Sequence, residues 1–160
     1  MRADLARQRL ARLAGLAVEL ADLERRIGAL LTALGSRLPQ LSGLGVLSAA
    51  KLLAESGPVG HYRGAAAFAA ANGTAPIPAS SGQVARHRLN RGGNRQLNRA
   101  LHVMALVQVR WDPRARAFAE RKRAEGRSWQ ETLRSLKRHL SDVVYRQMLA
   151  DAQHCVPQAA

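Results

Sequence analysis

Leu13, Leu16, Leu20, Leu23, Ile27, Leu30 and Leu34 follow one another at alternating spacings of three and four. That is a heptad seam held for about three heptads, and it fixes a helix there more firmly than any other feature of the chain. Arg12, Glu19, Asp22, Glu24, Arg25 and Arg26 keep its flanks wet, and Gly35 with Pro39 ends it. Two readings stand: a helix packed on its own domain, or a coiled coil with another helix or chain. Upstream, Arg9 and Ala6 break the seam, so the chain is expected to begin inside a coiled coil as a piece of something longer.

Hydrophobic residues make up 47% of the 160 residues and aromatics only 4%. The apolar mass is therefore Ala, Leu and Val, which suits closely packed helices and nearly excludes an all-β fold. The expected fold class is all-α. It comprises a coiled-coil-like helix over 1–36, a helical domain over 37–152 that opens on a helix-hairpin-helix-like pair, and a fraying tail over 153–160.

Within that domain, Leu38 to Ser56 reads as the end of a short helix, the turn Ser42-Gly43-Leu44-Gly45 and a second helix. Gly43 and Gly45 can expose backbone N–H groups to a phosphate at a helix start, or simply make an αα turn. A small-residue helix follows over Arg63 to Ala71. From Asn72 to about Gly93 periodicity stops in a Pro- and Gly-rich surface loop, longer than a compact domain needs for a plain connection. Three more helices are expected. Asn94 caps one, Asp112-Pro113 opens another that stops at Gly126, and the capping box Ser128-Trp129-Gln130-Glu131 starts the last along Leu133, Leu136, Leu140, Val143 and Val144.

Lys and Arg number 25 against 11 Asp and Glu, a formal charge of +14. Nine basic and five acidic residues fall up to Ser80, sixteen and six after it, so the C-terminal half carries +10. No acid occurs from Ser56 to Trp111, while Arg86, Arg88, Arg91, Arg95 and Arg99 lie in or just after the loop. Such a cluster suits a polyanion, with forked guanidinium contacts to phosphate, or is a solvated basic face. Cys155 is the single cysteine and no stretch of about 18 apolar residues occurs. The expected place is therefore the cytoplasm, with no membrane partner. The five histidines show neither i, i+4 pairing nor cysteine partners, so no metal site and no cofactor is expected in this chain. A hydroxyl beside glycine, Ser81-Gly82, is a turn residue on local grounds, and a nucleophile only if fixed donors hold the developing phosphate charge.

An ordered series of fragments narrows this. It runs Leu41-Ser42-Gly43-Leu44-Gly45, Ala49-Ala50-Lys51-Leu52-Leu53-Ala54-Glu55, Asn72-Gly73-Thr74-Ala75-Pro76, Ser80-Ser81-Gly82, Asn90-Arg91-Gly92-Gly93-Asn94-Arg95 and Leu97-Asn98-Arg99-Ala100-Leu101. With Asp112-Pro113-Arg114, Gly126 and Val143-Val144-Tyr145 behind it, the series resembles the C-terminal transposase domain of the bridge-RNA-guided insertion-sequence transposases, relatives of the pilin-gene inverting recombinases. The resemblance implies DNA recombination by a serine nucleophile, here Ser81 with Ser80 beside it. It also implies DNA and a guide RNA as partners, and Mg2+ held by the acidic tetrad of a RuvC-like domain that has no counterpart in this chain. Gly57-Pro58 stands where the family has Gly-Asp, and His61-Tyr62 where it has an Arg-aromatic pair. The expected product is a truncated or partial transposase, inactive alone and self-associating through the N-terminal helix. The competing expectations are a non-catalytic nucleic-acid-binding or assembly module, and a basic structural protein.

Overall fold

The computed structural model describes residues 2–78, 87–88, 90 and 92–155. The expected all-α class holds: six α-helices among the described residues, α1 (Arg2–Ala33), α2 (Val46–Ser56), α3 (Ala65–Ala71), α4 (Arg95–Trp111), α5 (Pro113–Ala124) and α6 (Trp129–Cys155). Single 3-10 turns sit at Leu38–Gln40 and Val59–His61. None of the helices is long and apolar enough to cross a membrane.

Chemistry legible in the sequence sets the helix ends. The Asn94 side chain accepts from the Gln96 and Leu97 N–H groups, and Asp112 from that of Arg114 at 2.8 Å. Ser128 and Glu131 close a reciprocal box, with the Glu131 carboxylate accepting from the Ser128 N–H at 2.9 Å and the Ser128 hydroxyl from the Glu131 N–H at 3.3 Å. Gly35 (φ 64°) stops α1 and Gly126 (φ 78°) stops α5; the N–H of Ser36 bonds back to the Leu31 carbonyl and that of Arg127 to the Lys122 carbonyl. The expected first helix of the hairpin pair is only the 3-10 turn at Leu38–Gln40, which ends where the backbone becomes extended at Leu41 (ψ 131°).

α4 is the hub and packs on α2, α5 and α6, while α3 also packs on α6 and α1 meets α2. Leu38, Leu52, Phe68, Leu97, Leu101, Met104 and Val144 are fully buried, and the Phe68 ring meets Tyr62 edge-on with centroids 5.1 Å apart and stacks on Tyr145 at 5.7 Å. The root of α1 is tied to α6 through buried Asp151, which accepts from the Arg37 N–H at 2.8 Å, the Arg37 guanidinium at 3.0 Å and the Gln147 amide at 2.7 Å. Farther out, α1 has little to lie on. Leu31 is its one buried residue, and residues 2–21 are all exposed.

The stretch after α3 departs from the expected irregular loop in one respect. Ile77–Pro78 (β1) and His87–Arg88 (β2) form a minimal antiparallel pair, Ile77 opposite Arg88 and Pro78 opposite His87. Proline is tolerated because a two-stranded pair has only edges.

Candidate nucleic-acid interface

A polar knot forms where α3 ends. Asn72 is fully buried; its side-chain N–H donates to the Ser141 hydroxyl of α6 at 2.8 Å, and its side-chain oxygen accepts from the Thr74 N–H at 3.1 Å and the Thr74 hydroxyl at 2.7 Å. The Asn72 carbonyl accepts from the Asn98 side chain at 2.9 Å, and the Asn98 oxygen accepts from the Lys137 ammonium at 2.8 Å. Next to this, Gly73 (φ 73°) lies so close to Gly93 that a Cβ on Gly93 would stand 2.2 Å from the Gly73 nitrogen. Only a residue without a side chain fits there. The Asn94 N–H donates across to the Ala71 carbonyl at 2.6 Å, and the Asn94 side chain donates to Glu55 of α2 at 2.8 Å. Together with the β1–β2 pair, these contacts make a neck that brings the two ends of the segment over 79–86 side by side.

Ser81, the neighbouring Ser80, Arg86 and Arg91 lie outside the described residues, and Arg88 is placed by its backbone in β2. Arg95 and Arg99 are exposed on the first turns of α4, and neither has an ion-pair partner among the described residues. The neck thus joins the chain carrying Ser81, Arg86, Arg88 and Arg91 to the helix end carrying Arg95 and Arg99. The one carboxylate in this network is Glu55, engaged by Asn94.

Gly43 and Gly45 sit elsewhere. Gly43 (φ 77°) faces the far half of α4, where an added Cβ would come 2.9 Å from the Met104 carbonyl, and the Gln108 side chain donates to the adjoining Ser42 carbonyl at 2.7 Å. Nine residues of helix rise separate Met104 from Arg95, about 14 Å along the axis. Gly45 is exposed at the N-cap of α2, whose first turn receives no side-chain cap.

Sequence reasoning missed the polar knot. Its signal is that Lys137 and Ser141 fall at i, i+4 within the apolar stripe of α6, where leucine or valine is expected. Burial holds the Lys137 ammonium below the ordinary lysine pKa, with nearby Arg134 adding repulsion. His102 on α4 is likewise lowered, first by burial and then by the Lys137 charge. The ground beneath the neck is cationic. Among the described residues no group of three or more His, Cys, Asp or Glu side chains could hold a metal ion. The Mg2+ implied by the resemblance therefore has no donor set among them.

Comparison with known proteins gives the class of this all-α basic domain, that of the insertion-sequence transposases. Residues 35–120 match the model of the transposase IS116/IS110/IS902 family, and the chain belongs to that family. It is 38% identical over 132 residues to an uncharacterized 43.6 kDa protein of insertion element IS110 from Streptomyces coelicolor, covering 81% of this chain and 32% of that protein. It is 34% identical over 113 residues to an uncharacterized 42 kDa protein of insertion element IS900 from Mycobacterium paratuberculosis, covering 69% of this chain and 28% of that one. The chain spans about a third of the length of these curated relatives.

Proposed function

We propose that this chain is the strand-exchange portion of an insertion-sequence transposase, with Ser81 as nucleophile and Arg86, Arg88, Arg91, Arg95 and Arg99 as its phosphate-binding surface. The observation that carries the reading is the neck. It ties both ends of the Ser81 segment to the start of α4, where two exposed arginines have no carboxylate partner among the described residues. Guanidinium forks neutralise phosphate oxygens, and their proximity offsets the charge that develops as phosphorus is attacked. In the step itself, a bond forms between the Ser81 oxygen and phosphorus while the bond from phosphorus to the leaving deoxyribose oxygen breaks. The hydroxyl proton passes to a base and the leaving oxygen takes up a proton. Phosphodiester energy is kept in the serine ester for rejoining.

Divalent metal, held by the acidic domain that the resemblance implies, would supply further charge neutralisation and help for the leaving oxygen. DNA ends of the element are the substrate, and a guide RNA engages the same phosphate chemistry. The exposed seam of α1 joins copies of the chain.

Labelled element-end DNA incubated with the chain alone, then with an intact relative or its acidic domain, is scored for a covalent protein–DNA adduct. The expected adduct appears only in the mixture and disappears with Ser81→Ala. Cleavage by the isolated chain contradicts the dependence on a second domain, and loss with Ser80→Ala alone moves the nucleophile by one residue. An adduct on this chain that survives both substitutions moves the nucleophile out of the segment, and a mixture that cleaves DNA with no adduct on this chain leaves a non-catalytic binding module.

A further inference from the structure

The apolar stripe of α6 carries two buried polar residues that meet the same turn. Ser141, fully buried, accepts from the Asn72 side chain, and Lys137, 7% exposed, reaches the Asn72 carbonyl through the Asn98 side chain. A stripe that had only to fill volume would hold leucine or methionine at both positions, because a buried ammonium with no carboxylate beside it is costly. No ion pair of Lys137 occurs among the described residues, and its hydrogen bond goes to Asn98. The Asn98 amide is chemically specific in this place. One end must donate to a carbonyl while the other accepts from an ammonium, which Asp and Leu cannot both do.

We propose that Asn98 and Lys137 are positioning residues that, with Asn72, form a buried polar strut fixing the neck from below, and so the placement of the Ser81 segment and its arginines. This rests on the reading of that segment as the phosphate-binding and strand-cleaving element. The strut sets where the chain leaves α3, the Gly73–Gly93 contact and the Asn94-to-Ala71 hydrogen bond stand directly on that exit, and β1–β2 continues from it. Placement matters for such an element, since a misplacement of about 1 Å at a reacting group can cost about a hundredfold.

The test uses the full chain, with amide hydrogen exchange at Asn94 and Thr74, thermal unfolding, and duplex DNA binding at several salt concentrations. Lys137→Met and Asn98→Leu are expected to speed exchange at the Asn94 N–H by about tenfold, through local opening of the neck. They are expected to weaken DNA binding by about fivefold while leaving the salt slope unchanged, because no phosphate contact is removed. Asn98→Asp guards against a trivial loss of folding. It can still pair with Lys137, so it folds, yet it lacks the donor to Asn72 and opens the neck. Lys137→Arg, able to donate to Asn98, restores slow exchange and binding.

Unchanged exchange in Asn98→Asp and Lys137→Met overturns the strut. Faster exchange with undiminished binding overturns its role in placing the segment. A slope that falls by about one in Lys137→Met shows the ammonium on a phosphate itself and overturns the positioning role. Binding that ignores Arg86, Arg88 and Arg91 in the parent chain overturns the reading of the segment instead, and exchange at Asn94 still decides the strut.

Discussion

α1 and α4 are both rich in leucine, yet they meet opposite fates. α4 buries Leu97, Ala100, Leu101, Met104, Ala105 and Gln108 within seventeen residues, whereas α1 buries only Leu31 in thirty-two. Leu101 is fully buried, while Leu13 and Leu20 of the heptad seam are 62% and 66% exposed. Burial follows from what the chain can fold back onto. α4 has α2, α5 and α6 packed on its sides, while α1 runs without a turn until Gly35. A seam this regular and this exposed is the surface proposed above to join copies of the chain.

The contrast breaks most visibly under truncation. Leu101→Ala is expected to lower stability by about 2–5 kcal/mol, since it empties a fully buried site, as chemical denaturation would show. Gly93→Ala attacks the other end of the same region, and should cost about 3 kcal/mol because a Cβ meets the Gly73 backbone with no flexible side chain to yield. By contrast, Leu20→Ala on α1 should change the stability of a single chain by less than about 0.5 kcal/mol. Its effect belongs to association: sedimentation should show the parent chain as an oligomer at micromolar concentration and a chain with Leu13, Leu16 and Leu20 all changed to Ala as a monomer. Two monomers would mean that the seam joins nothing.

The smallest effect sharpens the cationic character of the α4–α6 side. His102 has its folded pKa lowered, so the unfolded chain binds the proton more readily below about pH 6.5. Stability present above that pH is lost as pH falls through the lowered folded value. The drop in melting temperature between pH 7 and pH 5 is thus expected to be smaller in His102→Gln than in the parent chain, and Lys137→Met should reduce it too by removing the charge that faces the imidazole.

Local chemistry was readable from the residues: the Asn94, Asp112 and Ser128 caps and the Gly35 and Gly126 stops depend on neighbours within a turn, and the structure has each of them. The neck was not readable. Asn72 and Ser141 stand 69 positions apart and Asn98 and Lys137 stand 39 apart, so their bonds exist only once α3, α4 and α6 have packed. The pairing of Ile77–Pro78 with His87–Arg88 was hidden by Pro78, which argues against a strand in sequence and is harmless in a pair made of edges. The Ser42-Gly43-Leu44-Gly45 turn shows how one pattern serves two purposes. Its glycines suit either a phosphate or a plain αα turn, and at Gly43 the absent Cβ admits the backbone of α4. Of the candidate site, Arg95 and Arg99 were placed by the helix cap before them, whereas Ser81, Arg86 and Arg91 rest on the resemblance and on the absence of acids in the sequence.

The neck-borne arginines, rather than the charge of the chain at large, are proposed to bind the nucleic-acid backbone. Titration of a fluorescent duplex with the full chain across salt concentrations tests this most directly. With about five phosphates neutralised, log K against log salt should fall with a slope of roughly −4 to −5, and changing Arg86, Arg88 and Arg91 together to Ala should flatten it by about 2 to 3. A slope left unchanged by the triple substitution would contradict the claim and move the interface to another face of the molecule.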